Sequence, residues 1–170
     1  MPRLLIVHHT PTDSVRALTD SVIAGAHDDE ISGVEVVVRP ALEARVEEVL
    51  AADGYLLGTP ANFGYMSGAL KHFFDTIFLR VGGALSDDGS AGDGSSGGSS
   101  GGSSGGRKPF GLWVHGRYDT TGAVRSVLSI TGALGWVQSA DVLEVLGDVG
   151  ADDRAAAYEL GGTLAALLSC

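Results

Sequence analysis

The sequence of 170 residues contains a single cysteine, Cys170, at its last position. One cysteine excludes an internal disulfide framework and any metal site built on several cysteine ligands, and the histidine and carboxylate spacings predict no metal site either. No apolar run reaches the length of a membrane-spanning helix. The apolar run at residues 4–7 is also too short for the core of a signal peptide, so we expect a cytoplasmic protein.

Basic residues are scarce as well. Lysine and arginine number 11 against 21 aspartate and glutamate residues, which gives a formal net charge of -10. A chain of this charge repels phosphate backbones and anionic lipid, so neither nucleic acid nor a membrane surface is an expected partner. The length suits one domain with one core, and we assign residues 1–170 to a single domain. A Gly/Ser-rich loop at about 86–107 interrupts it.

Apolar patterns of strand and helix type alternate along the rest of the chain. This alternation predicts an α/β protein in which five parallel strands form one sheet with helices on both faces. We expect strands at residues 4–8, 34–38, 54–58, 110–115 and 142–146. We expect helices at about 12–22, 43–50, 67–80, 122–134 and 152–169, with Leu160, Leu164, Leu167 and Leu168 facing inward in the last.

Residues 58–68, GTPANFGYMSG, lie between the third predicted strand and its helix. A loop in this position opens at the carboxyl edge of the sheet, where α/β proteins bind ligands. Gly64 allows the backbone to approach a flat ligand closely. Phe63, Tyr65 and Met66 offer apolar surface on which an aromatic ring can lie. The segment therefore predicts a site for an aromatic ligand.

The run GTPANFGYMSGALKHFFD resembles the isoalloxazine loop and following helix of flavodoxin-like NAD(P)H:quinone oxidoreductases and FMN reductases. Asn62 stands where an arginine is common in that family, and Tyr65 where an asparagine is common. The resemblance implies a flavodoxin-like doubly wound sheet of order 2-1-3-4-5, FMN as cofactor and a homodimer or homotetramer. It assigns the flavin ring to Thr59, Pro60, Ala61, Asn62, Phe63, Gly64 and Tyr65.

Residues 9–15, HTPTDSV, follow the first strand and open the first helix. Hydroxyls at alternate positions and free N–H groups at a helix start suit a phosphate, although a helix start capped by Thr12 or Asp13 would have the same sequence. The segment resembles the flavodoxin phosphate loop, but it lacks the usual glycine, and Asp13 brings a negative charge. We assign the phosphate to His9, Thr10, Thr12, Asp13, Ser14 and Val15.

Residues 115–122, HGRYDTTG, form the third loop at the same edge. The resemblance places this loop beside the pyrimidine side of the flavin, and we assign it His115, Gly116, Arg117 and Thr121. Arg117 is either a charge at the flavin rim or an ordinary surface residue. His115 is the one weak candidate for a catalytic residue, as a proton donor or a hydrogen-bond partner of a quinone. His8 is expected to be buried with its hydrogen bonds satisfied.

Three functions remain open from the sequence. The first is an FMN-binding oxidoreductase that passes electrons from NAD(P)H to a quinone or similar small acceptor. The second is an electron carrier of the flavodoxin type. The resemblance of residues 66–68 to the motif of quinone reductases disfavours it. The third is an interaction module of flavodoxin fold without flavin, supported by Asp13 alone. Binding of FMN by the purified protein separates the third function from the other two.

Residues 89–106 are almost entirely glycine and serine. This composition buries no apolar surface and predicts a disordered segment. It lies between the third helix and the fourth strand, beside the predicted flavin loop. Two interpretations stay open, a mobile flap over the site and an inert or engineered linker, and the ready tolerance of surface insertions favours the linker.

Overall fold

The computed structural model describes residues 1–82 and 107–170. The predicted Gly/Ser-rich segment at 86–107 therefore lies almost wholly outside the described residues. Strands and helices alternate through the rest of the chain. The strands are β1 (Arg3–His8), β2 (Glu35–Pro40), β3 (Gly54–Asn62), β4 (Tyr65–Met66), β5 (Pro109–Gly116), β6 (Val137–Gln138) and β7 (Leu143–Leu146). The helices are α1 (Asp13–Ala26), α2 (Val46–Ala51), α3 (Gly68–Ile77), α4 (Thr121–Ala133) and α5 (Ala151–Ser169).

The main sheet is parallel and runs β2-β1-β3-β5, with β6 and β7 both on the far side of β5. The predicted order 2-1-3-4-5 is confirmed, since β5 and β7 are the fourth and fifth predicted strands. The edge strand is split: β6 pairs with the start of β5 at Pro109 and Phe110, and β7 pairs with its end. The short strand β4 pairs antiparallel with β3 and was not predicted.

The strands are nearly continuous apolar runs because both faces of the sheet are covered. Successive residues of β1 point to opposite faces, so Leu5 and Val7 join one core while Leu4 and Ile6 join the other. The first core contains buried side chains of α2, α3 and α4. The second contains buried side chains of α1 and α5. This alternation also fixes the face on which each residue at the carboxyl end of a strand lies.

Two helix predictions need correction. Helix α2 begins at Val46 and not at Glu43, because the Glu48 carboxylate accepts a hydrogen bond from the Arg45 backbone N–H and fixes the helix start there. Leu167 is 50% exposed rather than inward. It lies at the margin of the buried stripe of α5, about 90° around the helix from the middle of that stripe at 100° per residue.

The third strand was predicted to end at residue 58, but β3 continues to Asn62. Pro60 is tolerated within it, although proline has no N–H to donate to a neighbouring strand. Pro60 pairs with His115 of β5 and is buried. Half of the segment predicted as a loop is therefore strand. No helix within the described residues combines the length and apolar character needed to cross a bilayer.

Candidate functional site

The three predicted ligand segments form three neighbouring connections at the carboxyl edge of the sheet: the β1–α1 loop, the β3–β4 hairpin and the β5–α4 loop. They follow the neighbouring strands β1, β3 and β5, whose order in the sheet brings their ends side by side. This edge is where doubly wound proteins bind their ligands. All three predicted ligand segments therefore reach the same edge.

The β1–α1 loop ends in a capped helix. The Thr12 side chain accepts a hydrogen bond from the Val15 N–H at 3.4 Å, and the Thr12 carbonyl accepts from the Arg16 N–H at 3.0 Å. Thr12 is thus the N-cap of α1, and Asp13 is its first helical residue. Val15 is fully buried and its N–H already donates to Thr12, so it offers no free group to a ligand.

The first amides of α1 are free. Among residues 1–82 and 107–170, the backbone N–H groups of Thr12, Asp13 and Ser14 donate to no acceptor. Unpaired N–H groups at a helix start, together with the positive end of the helix dipole, attract an anion. Asp13 is exposed and Ser14 is half-buried. These amides match the phosphate assignment, while the Asp13 carboxylate opposes it.

The Thr10 hydroxyl is held from two sides. It lies 2.8 Å from Nδ1 of His8 and 3.0 Å from the Thr19 hydroxyl on α1. His8 is half-buried and hydrogen-bonded, close to what the sequence predicts for it. The backbone N–H of His9 donates to the Gly58 carbonyl at 3.0 Å, which extends the pairing of β1 with β3 by one residue. The start of the loop is therefore tied firmly to the sheet and to α1.

The β3–β4 hairpin turns at Phe63 and Gly64, between the paired residues Asn62 and Tyr65. Both turn residues have positive φ, 51° for Phe63 and 78° for Gly64, as a tight hairpin of type I′ requires. Phenylalanine is costly in this conformation. The Phe63 ring is also fully exposed, with 109% of its reference area open. Strain and exposure together make the hairpin tip a candidate for a functional role.

The base of the hairpin is buried. The Thr59 hydroxyl donates to the Pro60 carbonyl at 2.8 Å and accepts from the Ser67 N–H at 3.0 Å. Ser67 in turn caps α3 by accepting from the Leu70 N–H at 3.2 Å. Thr59 is fully buried, so its predicted role toward a ligand would act only through the hairpin it braces. Met66 is likewise buried in the core, so the expectation that it offers a surface to a ring is wrong.

The hairpin tip is docked on the start of α4. The Gly64 carbonyl accepts a hydrogen bond from the Ala123 N–H at 2.6 Å. A Cβ atom at Gly122 would lie 2.5 Å from the Gly64 carbonyl oxygen, so only glycine permits this approach. Asp119 accepts from the Thr121 N–H at 2.9 Å, and that hydrogen bond lowers the pKa of the Asp119 carboxyl. Backbone contacts, not side-chain packing, fix the position of the tip.

A cavity of about 300 Å³ lies between the hairpin tip and the β5–α4 loop. Two of its walls, Tyr118 and Asp119, were missed in the sequence although they lie within the quoted loop. Tyr118 is 89% exposed in the structure, and the signal available in the sequence was an aromatic residue in a loop at the edge where a flat ligand is expected. Arg117 pairs with Asp148 at 3.2 Å in an exposed salt bridge of little energetic weight. The lining residues are Ala61, Phe63, Gly64, Arg117, Tyr118 and Asp119.

His115 lies behind this cavity. Its side chain is buried, and Nε2 donates to the Gly147 carbonyl at 2.6 Å. A carbonyl acceptor requires a hydrogen on Nε2, so that proton is committed to the backbone. The neighbouring Gly116 is buried as well, whereas Thr121 is exposed at the first position of α4. A role for His115 as a proton donor would require this bond to break.

The predicted site residues therefore fall into three groups. Lining the cavity are Ala61, Phe63, Gly64 and Arg117, with Asn62 and Tyr65 exposed beside them on the hairpin. In the β1–α1 loop and at the start of α1 are His9, Thr10, Thr12, Asp13 and Ser14, while Thr121 stands apart at the start of α4. Behind the surface are Thr59, Pro60, His115, Gly116 and the Val15 side chain. In the part of the chain that the structure describes, no cluster of His, Cys, Asp or Glu side chains suits a metal ion.

A doubly wound parallel sheet with three open loops at its carboxyl edge defines a flavodoxin-like α/β protein. Solved structures agree at the level of fold. An archaeal flavodoxin superposes with a TM-score of 0.74 at 14% identity, covering 99% of both chains. A WrbA-like flavodoxin from Agrobacterium tumefaciens gives a TM-score of 0.63 at 15% identity, covering 99% of this chain and 98% of the other.

Residues 15–134 match the model of the NADPH-dependent FMN reductase family, and the chain belongs to that family. It is 33% identical to a flavodoxin of Aquifex aeolicus over 97 residues, 57% of this chain and 51% of the relative. It is 30% identical to an NAD(P)H dehydrogenase (quinone) of Acidithiobacillus ferrooxidans over 95 residues, 44% of this chain and 46% of the relative. The chain spans about half the length of these curated relatives.

The residues present suit FMN in kind. Free N–H groups at the start of α1 match a phosphate, and the exposed rings around the cavity match a flat aromatic ligand. The family match begins at Val15, the last residue of the predicted phosphate loop, and so leaves out the rest of that loop. The phosphate assignment therefore depends on the free amides rather than on the family match.

Proposed function

We propose that this chain binds FMN across the three loops and passes electrons from NAD(P)H to a quinone or a similar small acceptor. The observation that carries the proposal is the strained and fully exposed Phe63 at a hairpin tip that borders a cavity. Strained backbone conformations cluster at ligand sites, so we take the exposed Phe63 ring as a surface that a ligand covers. The family and the names of its relatives support FMN, a nicotinamide donor and a quinone acceptor.

The start of α1 would hold the FMN phosphate. The N–H groups of Thr12, Asp13 and Ser14 would donate to its oxygens, and the helix dipole would add attraction. The Asp13 carboxylate is exposed and can turn into solvent, which reduces its repulsion by screening. The phosphate loop would thus bind through backbone amides, with side-chain hydroxyls in support.

The hairpin and the β5–α4 loop would hold the flavin ring. Phe63 and Tyr118 offer aromatic faces on two sides of the cavity, and Arg117 places a positive charge at its rim. When bound, FMN supplies the redox chemistry itself, accepting a hydride from a reduced nicotinamide and passing two electrons on. The protein's task is to position the ring and keep one face open, which requires no acid or base such as His115.

The open side of the site leaves room for a second molecule. Phe63, Tyr65 and Tyr118 all expose apolar ring surface there. A nicotinamide, a quinone or a neighbouring copy of the chain would cover that surface. We therefore keep the homodimer or homotetramer implied by the family resemblance as part of the proposal, to be measured by light scattering with and without FMN.

The competing function is an electron carrier, and the Aquifex aeolicus relative named flavodoxin favours it. A carrier binds FMN but oxidises NAD(P)H only with a partner reductase. A flavin-free interaction module, which Asp13 alone supports, binds no FMN at all. The three functions thus differ in two measurable quantities, FMN affinity and NAD(P)H oxidation by the purified chain.

The experiment is a titration of the purified protein with FMN and with riboflavin, followed by NADH and NADPH oxidation with and without a soluble quinone. The proposal expects one FMN per chain and quinone-dependent NAD(P)H oxidation. FMN binding without NAD(P)H oxidation would favour the carrier, and absence of binding would favour the module. The Phe63→Ala variant tests the site: both flavins should bind more weakly. The control is Leu50→Ala, at an exposed position near the end of α2 and at the opposite edge of the sheet, which should change neither.

A further inference from the structure

His8 ends β1 directly beneath the predicted phosphate loop. Its Nδ1 atom lies 2.8 Å from the Thr10 hydroxyl, which lies 3.0 Å from the Thr19 hydroxyl. Thr19 is buried on α1 and cannot turn to solvent. The first hydroxyl of the loop is thus the middle member of a chain of three polar groups.

His8 lies in a row of paired residues that crosses neighbouring strands of the sheet. It pairs with Gly58, and Gly58 pairs with Trp113. Strand alternation puts the His8 side chain on the α1/α5 face, where Trp113 is buried. The Trp113 ring covers the backbone of Gly58 so closely that a Cβ there would lie 2.0 Å from it. On this face of the sheet His8 therefore lies in a row that is covered by a buried aromatic ring, while His8 itself remains half-buried.

The charged groups that face His8 come from α1 and the loop. Burial lowers the pKa of His8 most, the charges of His9 and Arg16 lower it further, and Asp20 opposes them. The strand neighbours Pro40 and Gly58 carry no charge. His8 is therefore neutral in the free protein at neutral pH, and a nearby anion would raise its pKa.

The Thr10 hydroxyl has one hydrogen to give. When Nδ1 of His8 carries a lone pair, Thr10 donates to it and offers only lone pairs to the loop. When Nδ1 carries a hydrogen, His8 donates to Thr10, and the Thr10 hydrogen can turn to the Thr19 hydroxyl or, when a phosphate is bound, to one of its oxygens. A proton taken from solvent onto His8 fixes the second arrangement and adds a positive charge.

We infer that His8 is a positioning residue that turns the Thr10 hydroxyl toward the phosphate and so sets the preference for FMN over riboflavin. This inference rests on the proposed function, because it requires the phosphate to lie on the β1–α1 loop. Phosphate binding and proton uptake by His8 then favour each other. FMN affinity gains from His8 as the pH falls, while riboflavin affinity is indifferent to it.

The test compares three variants with the unaltered protein. His8→Asn keeps a polar amide near the place of Nδ1 but does not titrate, and His8→Phe removes the polar group. His72→Gln is the control, because His72 is an exposed histidine on α3 outside the site. Dissociation constants for FMN and riboflavin are measured from pH 5.5 to 8. The second ionisation of the phosphate, near pH 6, affects every variant alike and cancels in each ratio to the unaltered protein.

The inference expects His8→Phe to weaken FMN by roughly tenfold at pH 6 and by less at pH 8, as for loss of a hydrogen bond to a charged group. His8→Asn should match the unaltered protein at pH 8 and fall behind it as the pH drops. Riboflavin should bind alike in all variants at every pH. Equal losses for both flavins, or a ratio that does not change with pH, would overturn the inference while leaving the proposed function intact.

A second measurement separates positioning from mere structural support. The ring signals of His8 are titrated by NMR in the flavin-free protein, with inorganic phosphate and with an equal ionic strength of chloride. Phosphate should raise the pKa of His8, and chloride should not. An unchanged pKa together with a lower melting temperature for His8→Phe would reduce His8 to a structural residue. Failure of the unaltered protein to bind either flavin would overturn both proposals.

Discussion

The β1–α1 loop and the β3–β4 hairpin lie at the same edge of the sheet but are built in opposite ways. In the first, Thr10 and Thr12 direct their hydroxyls at the fold, and the backbone amides are left free. In the second, the backbone of Gly64 is tied to α4 and the Phe63 ring is left free. The loop proposed to bind the phosphate thus presents its backbone, and the loop proposed to bind the flavin ring presents a side chain.

This difference has an energetic consequence. Hydrogen bonds from the loop to the fold stabilise both the protein and the shape of the phosphate site. The hairpin instead places a phenylalanine at positive φ, which costs stability. Substitutions in the first loop should therefore lower stability and FMN affinity together, whereas substitution at the hairpin tip should move them in opposite directions.

The largest effect should come from Gly122→Ala, which attacks the docking of the hairpin. The new Cβ would lie 2.5 Å from the Gly64 carbonyl oxygen, so the backbone must shift. We expect a loss of about 2 kcal/mol, as for other overpacked positions, and a lower melting temperature. Riboflavin and FMN should lose affinity equally, since only the ring site moves.

Gly132→Ala is the matched control in the same helix. Gly132 is exposed, and a Cβ there would meet nothing within 4 Å. This change should stabilise the protein by about 0.5–1 kcal/mol through helix propensity and leave both flavins unaffected. If Gly122→Ala were as harmless as Gly132→Ala, the hairpin would not depend on its contact with α4.

Phe63→Gly should be the sharpest test of whether stability and flavin affinity change in opposite directions at the hairpin tip. Glycine accepts positive φ without strain, so the free energy of unfolding should rise by about 1 kcal/mol. Loss of the ring should weaken both flavins roughly tenfold, the scale of aromatic stacking on a flat ligand. Thermal melts and fluorescence titrations measure the two quantities.

Phe63→Tyr restores a ring without relieving the strain. It should therefore keep flavin affinity and gain no stability. A decrease in stability for Phe63→Gly would show that the exposed ring contributes to the fold, and the contrast between the two loops would lose its basis.

In the first loop, Thr12→Ala should lower stability and FMN affinity together. It removes the cap of α1, which costs about 1 kcal/mol, and loosens the amides that would bind the phosphate. FMN should weaken more than riboflavin because riboflavin lacks the phosphate. Ser67→Ala removes the cap of α3 and should cost comparable stability without changing the FMN-to-riboflavin ratio. Equal losses of both flavins in Thr12→Ala would remove the phosphate assignment.

The sequence predicted the fold better than it predicted the hairpin. Apolar periodicity marked every strand of the main parallel order, because strands buried on both faces are read directly from composition. The hairpin was missed because its turn is Phe63-Gly64, whereas the common signal for such a turn is Asn-Gly or Asp-Gly. The available indication of a hairpin turn was Gly64, directly after Phe63, within a segment of alternating apolar and polar residues. Strand β6 was missed because two residues are too few to show the alternation of apolar and polar side chains that predicts a strand.

Individual side chains were harder to place than loops. The sequence put His115 at the end of a strand, but only the structure shows its Nε2 bound to the Gly147 carbonyl. Likewise, Arg117 was assigned to the site from the sequence because of its charge. The structure shows that the adjacent Tyr118 and Asp119 line the cavity together with it. Such differences depend on which way a loop turns after its strand, and turn direction is set by distant contacts such as that of Gly64 with α4.

The smallest effect should come from Asp13→Asn, which tests charge alone in the phosphate loop. Asp13 is exposed at the first position of α1, where a carboxylate favours the helix dipole but repels a phosphate. Its removal should tighten FMN about threefold at low salt and less at high salt, because screening weakens an exposed charge. Riboflavin affinity should not change.

Asp152→Asn provides the control for the interaction of a first-turn carboxylate with the helix dipole. Asp152 lies in the first turn of α5, a helix start that is not part of the proposed phosphate site, so its loss removes a comparable dipole interaction and no phosphate repulsion. Both variants should lose at most about 0.3–1 kcal/mol of stability, and only Asp13→Asn should change FMN affinity. If FMN instead bound more weakly to Asp13→Asn, the carboxylate would support the loop rather than oppose the ligand. The free amides of α1 would then bind phosphate with Asp13 turned outward as part of the helix start.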